Sequence, residues 1–207
     1  FFSPLVLTLC ILRPFKCIKL CEISSNRISP FILVVEGFLH LKKYVPEFQK
    51  SLVLFFYNKY ICNEQIEIMA TRSLKVSHYR IFFKLLSEAI IFWGQRDHHI
   101  LESRYFALWN LAEKSPWSFK EHKPNLNFNS EEKKSGLKLL EDLKIKKEND
   151  WICIQNRDSA YLDKYLPNQG LQKYNGSWTY HSYRDFSVNS LSLAAEFFAD
   201  KGYYVFR

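Results

Sequence analysis

The sequence lacks the cysteine patterns that mark metal sites and disulfide frameworks. Its five cysteines form no CxxC pair and no Cys/His spacing typical of zinc. An odd, scattered set of thiols is typical of reduced, cytosolic proteins. We therefore predict a cytoplasmic protein with free thiols and no metal site.

Two further absences limit the partners. The apolar run of residues 4–12 is far shorter than the roughly 20 residues that a membrane-spanning helix needs. It therefore represents the tail of an anchor or signal segment, an interfacial helix with a basic face, or a buried first element. No run of five or more Lys or Arg occurs, which disfavours a nucleic-acid partner.

The composition predicts a folded, basic protein. The chain has 207 residues, of which 47% are hydrophobic and 17% aromatic, enough for a substantial core. Its net charge is +8, and residues 1–50 supply half of it, with seven Lys/Arg against three Asp/Glu. This charge suits nucleic acid, the anionic inner leaflet or a nucleotide diphosphate. Because the chain begins with Phe and ends in a predicted strand, we expect it to be a piece of a longer protein.

The last quarter of the chain predicts a βαβ unit. Residues 151–155 and 203–206 form apolar runs typical of buried strands. Between them, Ser187 is a plausible N-cap, and Gly202 stands where helices commonly end in a left-handed residue. The apolar positions between these caps recur at helical spacing, at Val188, Leu191, Ala195 and Phe198. Strands joined in this way are parallel.

Polar residues follow both predicted strands. Arg157 and Asp158 come after the first strand, and Arg207 comes after the second. In open α/β sheets, ligands bind outside the carboxyl ends of the strands. The sequence therefore predicts a ligand crevice at this edge.

The rest of the chain also alternates strand and helix, which predicts two doubly wound α/β domains. A Pro- and Asn-containing segment, residues 115–129, is the predicted linker. We expect an N-terminal segment at residues 1–28, an α/β domain at 29–120 and a second α/β domain at 121–207. The predicted strands are residues 31–35, which Gly37 should end, 52–57 and 74–76. The predicted helices are the one that Asn63 caps and that runs to Arg72, then 79–93, which Gly94 ends, 100–113 and 130–143.

Three of these segments carry more specific expectations. The helix of residues 79–93 is apolar over a broad arc, so we expect it to be covered on most sides. The adjacent pair His98-His99 points apart on a helix, which disfavours a metal or catalytic role. Asn175-Gly176 lies between alternating aromatic and aliphatic residues, which predicts a β-hairpin over the crevice.

Several motifs resemble a family of bacterial glycosyltransferases encoded with surface-polysaccharide genes. Three motifs near the end of the chain show the resemblance most clearly: N-R-D-S-A-Y-L (156–162), Y-H-S-Y-R-D (180–185) and A-A-E-F-F-A-D-K-G-Y-Y-V-F-R (194–207). Two upstream segments also resemble the family, P-N-L-N-F-N-S-E-E-K-K-S-G (124–136) and I-C-N (61–63). The resemblance runs from about Ser29. Residues 35–40 and Gln155-Asn156 depart from the family's pattern.

The resemblance implies a GT-B-like architecture of two Rossmann-like domains. The N-terminal domain faces the acceptor, and the C-terminal domain, of which only the opening βαβ unit is present here, binds a nucleotide-sugar donor. It implies sugar transfer to a cell-surface polysaccharide or its lipid-linked precursor at the cytoplasmic face, with no metal or cofactor. We expect residues 1–207 alone to be inactive.

Site roles follow from that chemistry. A leaving phosphate that no metal neutralises needs Arg, Lys or helix amides, which favours Arg157, Arg184, Arg207 and the helix start near Ser187. Asp158 is either a general base or the partner that orients Arg157, and His181 is either a base or a packed structural residue. The predicted substrate-binding set is completed by Ser159, Tyr161, Tyr180 and Asp185.

One interpretation from a different class stays open. The same basic N-terminal quarter would suit a non-catalytic α/β module that binds nucleic acid or a membrane surface. A concave site that brings Arg157, Arg184 and His181 together favours the enzyme, whereas a flat basic face with exposed aromatics favours the module.

Overall fold

A computed structural model describes residues 2–58, 60–106, 123–145, 150–169 and 172–207. The chain divides into two compact units, Phe1–Asn129 and Ser130–Arg207. It is a mixed α/β protein whose strands form small parallel sheets. The boundary between the two units follows Asn129, whereas the sequence predicts a domain boundary at residue 120.

The first unit is the larger one. Its elements are α1 (Ser3–Leu12), β1 (Ile18–Ile23), α2 (Ile28–Tyr44), α3 (Pro46–Lys50), β2 (Leu52–Tyr57), α4 (Glu64–Ser73), β3 (Val76–Ser77), α5 (Arg80–Phe92), α6 (Arg96–His99) and a 3-10 turn (Ser103–Phe106).

A three-stranded parallel sheet in the order β1-β2-β3 organises this unit. Strand β1 pairs with β2 from Ile18 opposite Leu52 to Ile23 opposite Tyr57. Parallel sheets are normally covered on both faces, and here both faces pack against helices. Phe55 and its neighbours pack against α2 and α4, while Phe56 packs against α1 and α5.

Local signals locate several elements correctly. Strand β2 spans the predicted residues 52–57. The predicted cap Asn63 accepts a hydrogen bond through Oδ1 from the Ile66 amide at 2.9 Å, and helix α4 follows. Helix α5 ends at Phe92, close to the predicted stop at Gly94. In each case the deciding residues are adjacent in sequence.

The predicted strand at residues 31–35 is wrong, because these residues lie inside helix α2. Phe31, Val34, Phe38 and Leu41 recur three and four positions apart, and all are buried. A five-residue apolar window cannot distinguish this helical face from a buried strand. Gly37 is a buried residue within the same helix and ends no element.

Other predictions for this unit need correction. Helix α5 buries only Leu86 and Ile90, and its opposite side is open to solvent, so it is not covered on most sides. Strand β3 starts at Val76, later than the predicted residues 74–76. Within the predicted helix at 100–113, Ile100 instead bridges to Leu20 and a 3-10 turn follows. Residues 107–113 lie outside the described residues.

The N-terminal and linker segments both belong to the first unit. Helix α1 packs through fully buried Val6, and β1 is a strand of the sheet. In the predicted linker, residues 115–122 lie outside the described part. Its remainder is bound to α2, because the Glu36 carboxylate accepts hydrogen bonds from the Asn125 amide (3.0 Å), the Asn125 side chain (2.9 Å) and the Leu126 amide (2.6 Å).

The second unit contains the predicted βαβ pairing. Its elements are α7 (Ser130–Asp142), β4 (Trp151–Cys153), α8 (Ala160–Tyr165), 3-10 turns at Gln172–Tyr174, Thr179–Arg184 and Val188–Leu191, α9 (Ser192–Asp200) and β5 (Tyr204–Phe206). Strands β4 and β5 are parallel, with Trp151 opposite Tyr204. Gly202, at φ +85°, occupies the predicted left-handed position before β5.

The predicted hairpin around Asn175-Gly176 is wrong. Both residues have positive φ, as a tight turn requires, but 3-10 turns rather than strands flank them in the described residues. The Trp178 indole donates from Nε1 to the buried Leu166 carbonyl at 2.8 Å. A Cβ at Gly176 would stand 2.6 Å from the Asn168 carbonyl oxygen. The turn therefore folds back on its own loop instead of extending as a ribbon.

Candidate functional site

The candidate site lies at the carboxyl edge of the two-stranded sheet in the second unit. The Ile154 amide donates to the Phe206 carbonyl at 2.8 Å, so the chain leaves both strands at the same edge. From β4 it continues into Asn156 and Arg157, and from β5 into Arg207. This is the edge where parallel sheets hold ligands.

Two separated polar segments meet at this edge, as the βαβ pattern predicts. The Phe186 amide donates to the Arg157 carbonyl at 3.1 Å, and the Asn156 side chain donates to the Phe186 carbonyl at 3.1 Å. An ion pair joins Arg157 Nε and Asp185 Oδ1 at 3.6 Å. Segment 156–161 is thereby attached to the end of segment 180–185.

The guanidinium of Arg157 is held at one side by the carboxylate of Asp185. Its side chain is 28% exposed and that of Asp185 23% exposed, so the pair is partly desolvated. Arg157 Nη1 is buried and has no hydrogen-bond acceptor among the described residues. A guanidinium fixed in this way suits bidentate contact with an anion such as phosphate. Asn156, which departs from the family's pattern, connects the two loops through its hydrogen bond to the Phe186 carbonyl.

Asp158 is not the partner that orients Arg157. Its Oδ1 accepts a hydrogen bond from the Ala160 amide at 3.1 Å and so supports the start of α8. Ser159 supports the same turn, since its carbonyl accepts from the Asp163 amide at 3.0 Å. Both residues are exposed. The carboxylate that pairs with Arg157 is that of Asp185, which the sequence predicts only as a substrate-binding residue.

His181 packs in an aromatic cluster. Its ring centroid lies 4.1 Å from that of Tyr180 and 6.1 Å from that of Trp178, with the Trp178 ring nearly parallel. Tyr180 in turn stacks on Tyr174 at 5.2 Å. This environment agrees with the structural interpretation of His181, because the ring is half-buried and held by its neighbours. Tyr161 contacts Tyr165 at 5.1 Å on α8.

The other two arginines are exposed. Neither Arg184 nor Arg207 forms an ion pair with another residue that the structure describes. A 3-10 turn, Val188–Leu191, precedes α9 at the position where the sequence predicts the helix to start, and its Asn189 amide is already bonded to Ser187. Ser187 caps that turn by accepting from the Asn189 amide at 3.2 Å, which confirms the predicted cap. Any anion at this edge would therefore depend mainly on arginine side chains.

Burial holds two of the thiols, Cys21 and Cys62, in the protonated form. All five cysteines are free, as the sequence predicts. Burial, with a smaller contribution from Glu22, raises the pKa of Cys21, and burial raises the pKa of Cys62. A raised pKa keeps a thiol protonated and unreactive at neutral pH. In the part of the chain that the structure describes, no three His, Cys, Asp or Glu residues come together to hold a metal ion.

One cluster in the first unit escapes sequence analysis. Buried Tyr57, at the carboxyl end of β2, lies with its ring 5.6 Å from that of His78, and Glu67 approaches His78 Nδ1 at 3.8 Å. Burial and the Glu67 charge raise the pKa of Tyr57. Three residues from separate elements meet only in the folded sheet, so no local pattern marks them.

The fold and this edge define a mixed α/β protein with an arginine-bearing site beside a short parallel sheet. Comparison of the chain with protein-family models, curated proteins and solved structures gives no match. The assignment to a glycosyltransferase family therefore stays a prediction from the motifs.

Proposed function

We propose that the chain is part of a metal-independent glycosyltransferase, and that the edge around Arg157 binds the diphosphate of a nucleotide-sugar donor. The observation that carries the proposal is the Arg157–Asp185 pair at the carboxyl ends of β4 and β5. The pair fixes one guanidinium, and the exposed Arg184 and Arg207 supply further positive charge. The motif resemblance supports the same assignment.

Each residue then has a defined task. As the bond between sugar and phosphate breaks, negative charge grows on the leaving diphosphate, and Arg157 neutralises it. Asp158 accepts the proton of the attacking acceptor hydroxyl, since one of its oxygens is engaged by the Ala160 amide and the carboxylate is exposed. Tyr180 and His181 position the donor through the aromatic cluster. In a GT-B-like arrangement the first unit serves the acceptor.

Binding is the direct test, because residues 1–207 are expected to lack turnover by themselves. Titration calorimetry with a panel of nucleoside diphosphate sugars and free pyrophosphate measures the site. Arg157→Ala should weaken binding by roughly 10- to 100-fold, the loss of about 1.5–3 kcal/mol expected for a charge-assisted contact. Arg157→Lys should restore only part of the affinity, because a lysine cannot make the bidentate contact.

The control is Lys138→Ala, which removes an exposed cation from helix α7. It should leave binding unchanged, which separates a specific contact from a general charge effect. Failure of the whole panel to bind, or equal binding by Arg157→Ala, would overturn the proposal and favour the non-catalytic module.

A further inference from the structure

Helices α1 and α5 form one layer over the sheet in the first unit, and their outer side is apolar. The two helices touch through Phe2 and Phe82, whose rings meet edge to face at 5.5 Å. Their inner side chains, such as Val6 and Ile90, are fully buried. The side chains that point away from the sheet form what we call the outer surface: Leu7, Ile11, Phe15, Ile81, Leu85 and Phe92.

Several apolar side chains of the outer surface are largely exposed to solvent. Phe92 is 88% exposed, Phe15 86% and Ile81 74%. Of these residues, Ile81 and Phe92 belong to α5 and lie on the side opposite buried Leu86 and Ile90. Helix α5 therefore has apolar side chains on both its inner and its outer side. Contiguous exposed apolar patches on soluble domains mark interaction sites. The surface therefore needs an occupant.

Helix α1 is suited to an apolar medium on every side. It carries no charged residue between Ser3 and Leu12. The hydroxyl of Thr8 donates to the Pro4 carbonyl at 2.8 Å, so this polar group is satisfied within the helix. A helix that is apolar all round belongs in a core or in lipid. In the described part of the chain, no helix is both long enough and apolar enough to cross a membrane.

Cations border the outer surface. Arg13 and Lys16 flank the exposed ring of Phe15, and Lys84 lies on α5. Neither Arg13 nor Lys16 forms an ion pair with another residue that the structure describes. Helix α1 has no acidic residue, and α5 has one, Glu88, which is exposed on the same helix face as Ile81 and Leu85 and follows Lys84 by one turn. Apolar side chains with a cationic border are typical of segments that lie in the interface of an anionic membrane.

We propose that the outer surface docks this unit peripherally on an anionic lipid bilayer. Helix α1 would lie in the membrane plane, because Val6 packs against the sheet while Leu7 and Ile11 are exposed along the same helix. A second copy of the chain is less suited, since it would bring the same cations together. Nucleic acid is less suited because its phosphates would meet an apolar centre. The inference uses no residue of the Arg157 site and does not depend on the proposed function.

Vesicle co-sedimentation tests the proposal with the chain of residues 1–207. Vesicles contain phosphatidylcholine alone or together with phosphatidylglycerol. The apolar variant is Ile81→Ser/Leu85→Ser/Phe92→Ser, and its matched control is Leu139→Ser/Leu193→Ser, exposed apolar residues of the second unit. The charge variant is Arg13→Gln/Lys16→Gln, matched by Lys50→Gln/Lys138→Gln. Circular dichroism melting verifies that each variant is folded.

We expect binding only to vesicles with phosphatidylglycerol. The apolar variant should reduce partitioning by roughly 100-fold, and the charge variant by roughly 30-fold, while both controls bind as the parent does. Absence of parent binding, equal binding to neutral vesicles, or full binding by the folded apolar variant would overturn the proposal. A second result would also overturn it: the parent chain binds no lipid but forms a concentration-dependent dimer, and the apolar variant abolishes that dimer. The outer surface would then be the interface with a second copy of the chain.

Discussion

Glu36→Gln should loosen the segment that carries the P-N-L-N-F-N motif. The Glu36 carboxylate lies on α2 and accepts three hydrogen bonds, two from Asn125 through Oε2 and one from the Leu126 amide through Oε1. Glutamine keeps one acceptor oxygen and replaces the other with an NH₂ group. That group would face another donor, either Leu126 N–H at 2.6 Å or the Asn125 donors.

The magnitude follows from those contacts. The substitution removes at least one hydrogen bond outright and the charge assistance from the others. Hydrogen bonds to a charged acceptor contribute about 1.5–3 kcal/mol and neutral ones about 1 kcal/mol. Because Glu36 is only half-buried, we expect a loss of about 2–3 kcal/mol in the free energy of unfolding of the first unit. Asn125→Ala, which removes one of the three bonds, should cost about 1 kcal/mol.

Two measurements check this expectation. Urea unfolding should give a lower midpoint at an unchanged slope, and hydrogen exchange should show a faster Leu126 amide. Glu88→Gln is the control, because Glu88 is exposed on α5 and should shift stability by less than about 0.5 kcal/mol. If Glu36→Gln unfolds like this control and its Leu126 amide exchanges at the parent rate, the reasoning about the carboxylate is refuted.

Two other substitutions test the cores of the units. Trp178→Phe removes the 2.8 Å indole bond to the buried Leu166 carbonyl and leaves it only the longer bond from the Gln169 amide, at 3.3 Å. We expect the second unit to lose about 1 kcal/mol of stability. Thermal melting measures the loss against exposed Trp151→Phe, and equal melting of the two variants would contradict the role of the indole. Because the pKa of Cys21 is raised above its ordinary value of 9.0, only the unfolded thiol ionises just above that pH. The free energy of unfolding should therefore fall by up to about 1.4 kcal/mol per pH unit above pH 9 through Cys21. Cys21→Ala should reduce the measured slope and leave the contribution of Cys62, whose pKa burial also raises.

The predictions that hold are those whose physical cause is local in the chain. The Asn63 and Ser187 caps need only a side-chain oxygen and an amide two or three residues ahead. Gly202 needs only its freedom to adopt positive φ. The pairing of β4 and β5 is not local in sequence. It is predictable because two strands joined through a helix have few alternative topologies and usually pair in parallel.

The predictions that fail depend on what lies opposite a residue. Residues 31–35 are apolar enough for a strand. They form part of helix α2 because the sheet and neighbouring helices bury one face of that helix. The apolar arc of α5 predicted cover on most sides, but the sheet and α1 cover only part of it. Asn175-Gly176 forms its tight turn, but 3-10 turns flank it and Trp178 bonds to the distant Leu166 carbonyl instead of a facing strand.

For the candidate site, the sequence alone determined the residue types and the edge at which they gather. Arg157 and Asp158 follow β4. Because β4 and β5 are parallel, the loop between them has to pass the same edge of the sheet, which brings residues 180–185 close to them. Only the tertiary structure decided which groups pair. Arg157 meets Asp185 rather than its neighbour Asp158, because the backbone bond from Phe186 brings one loop end to the other. Ion pairs depend on distances of a few ångströms, and sequence order does not encode those distances between remote loops.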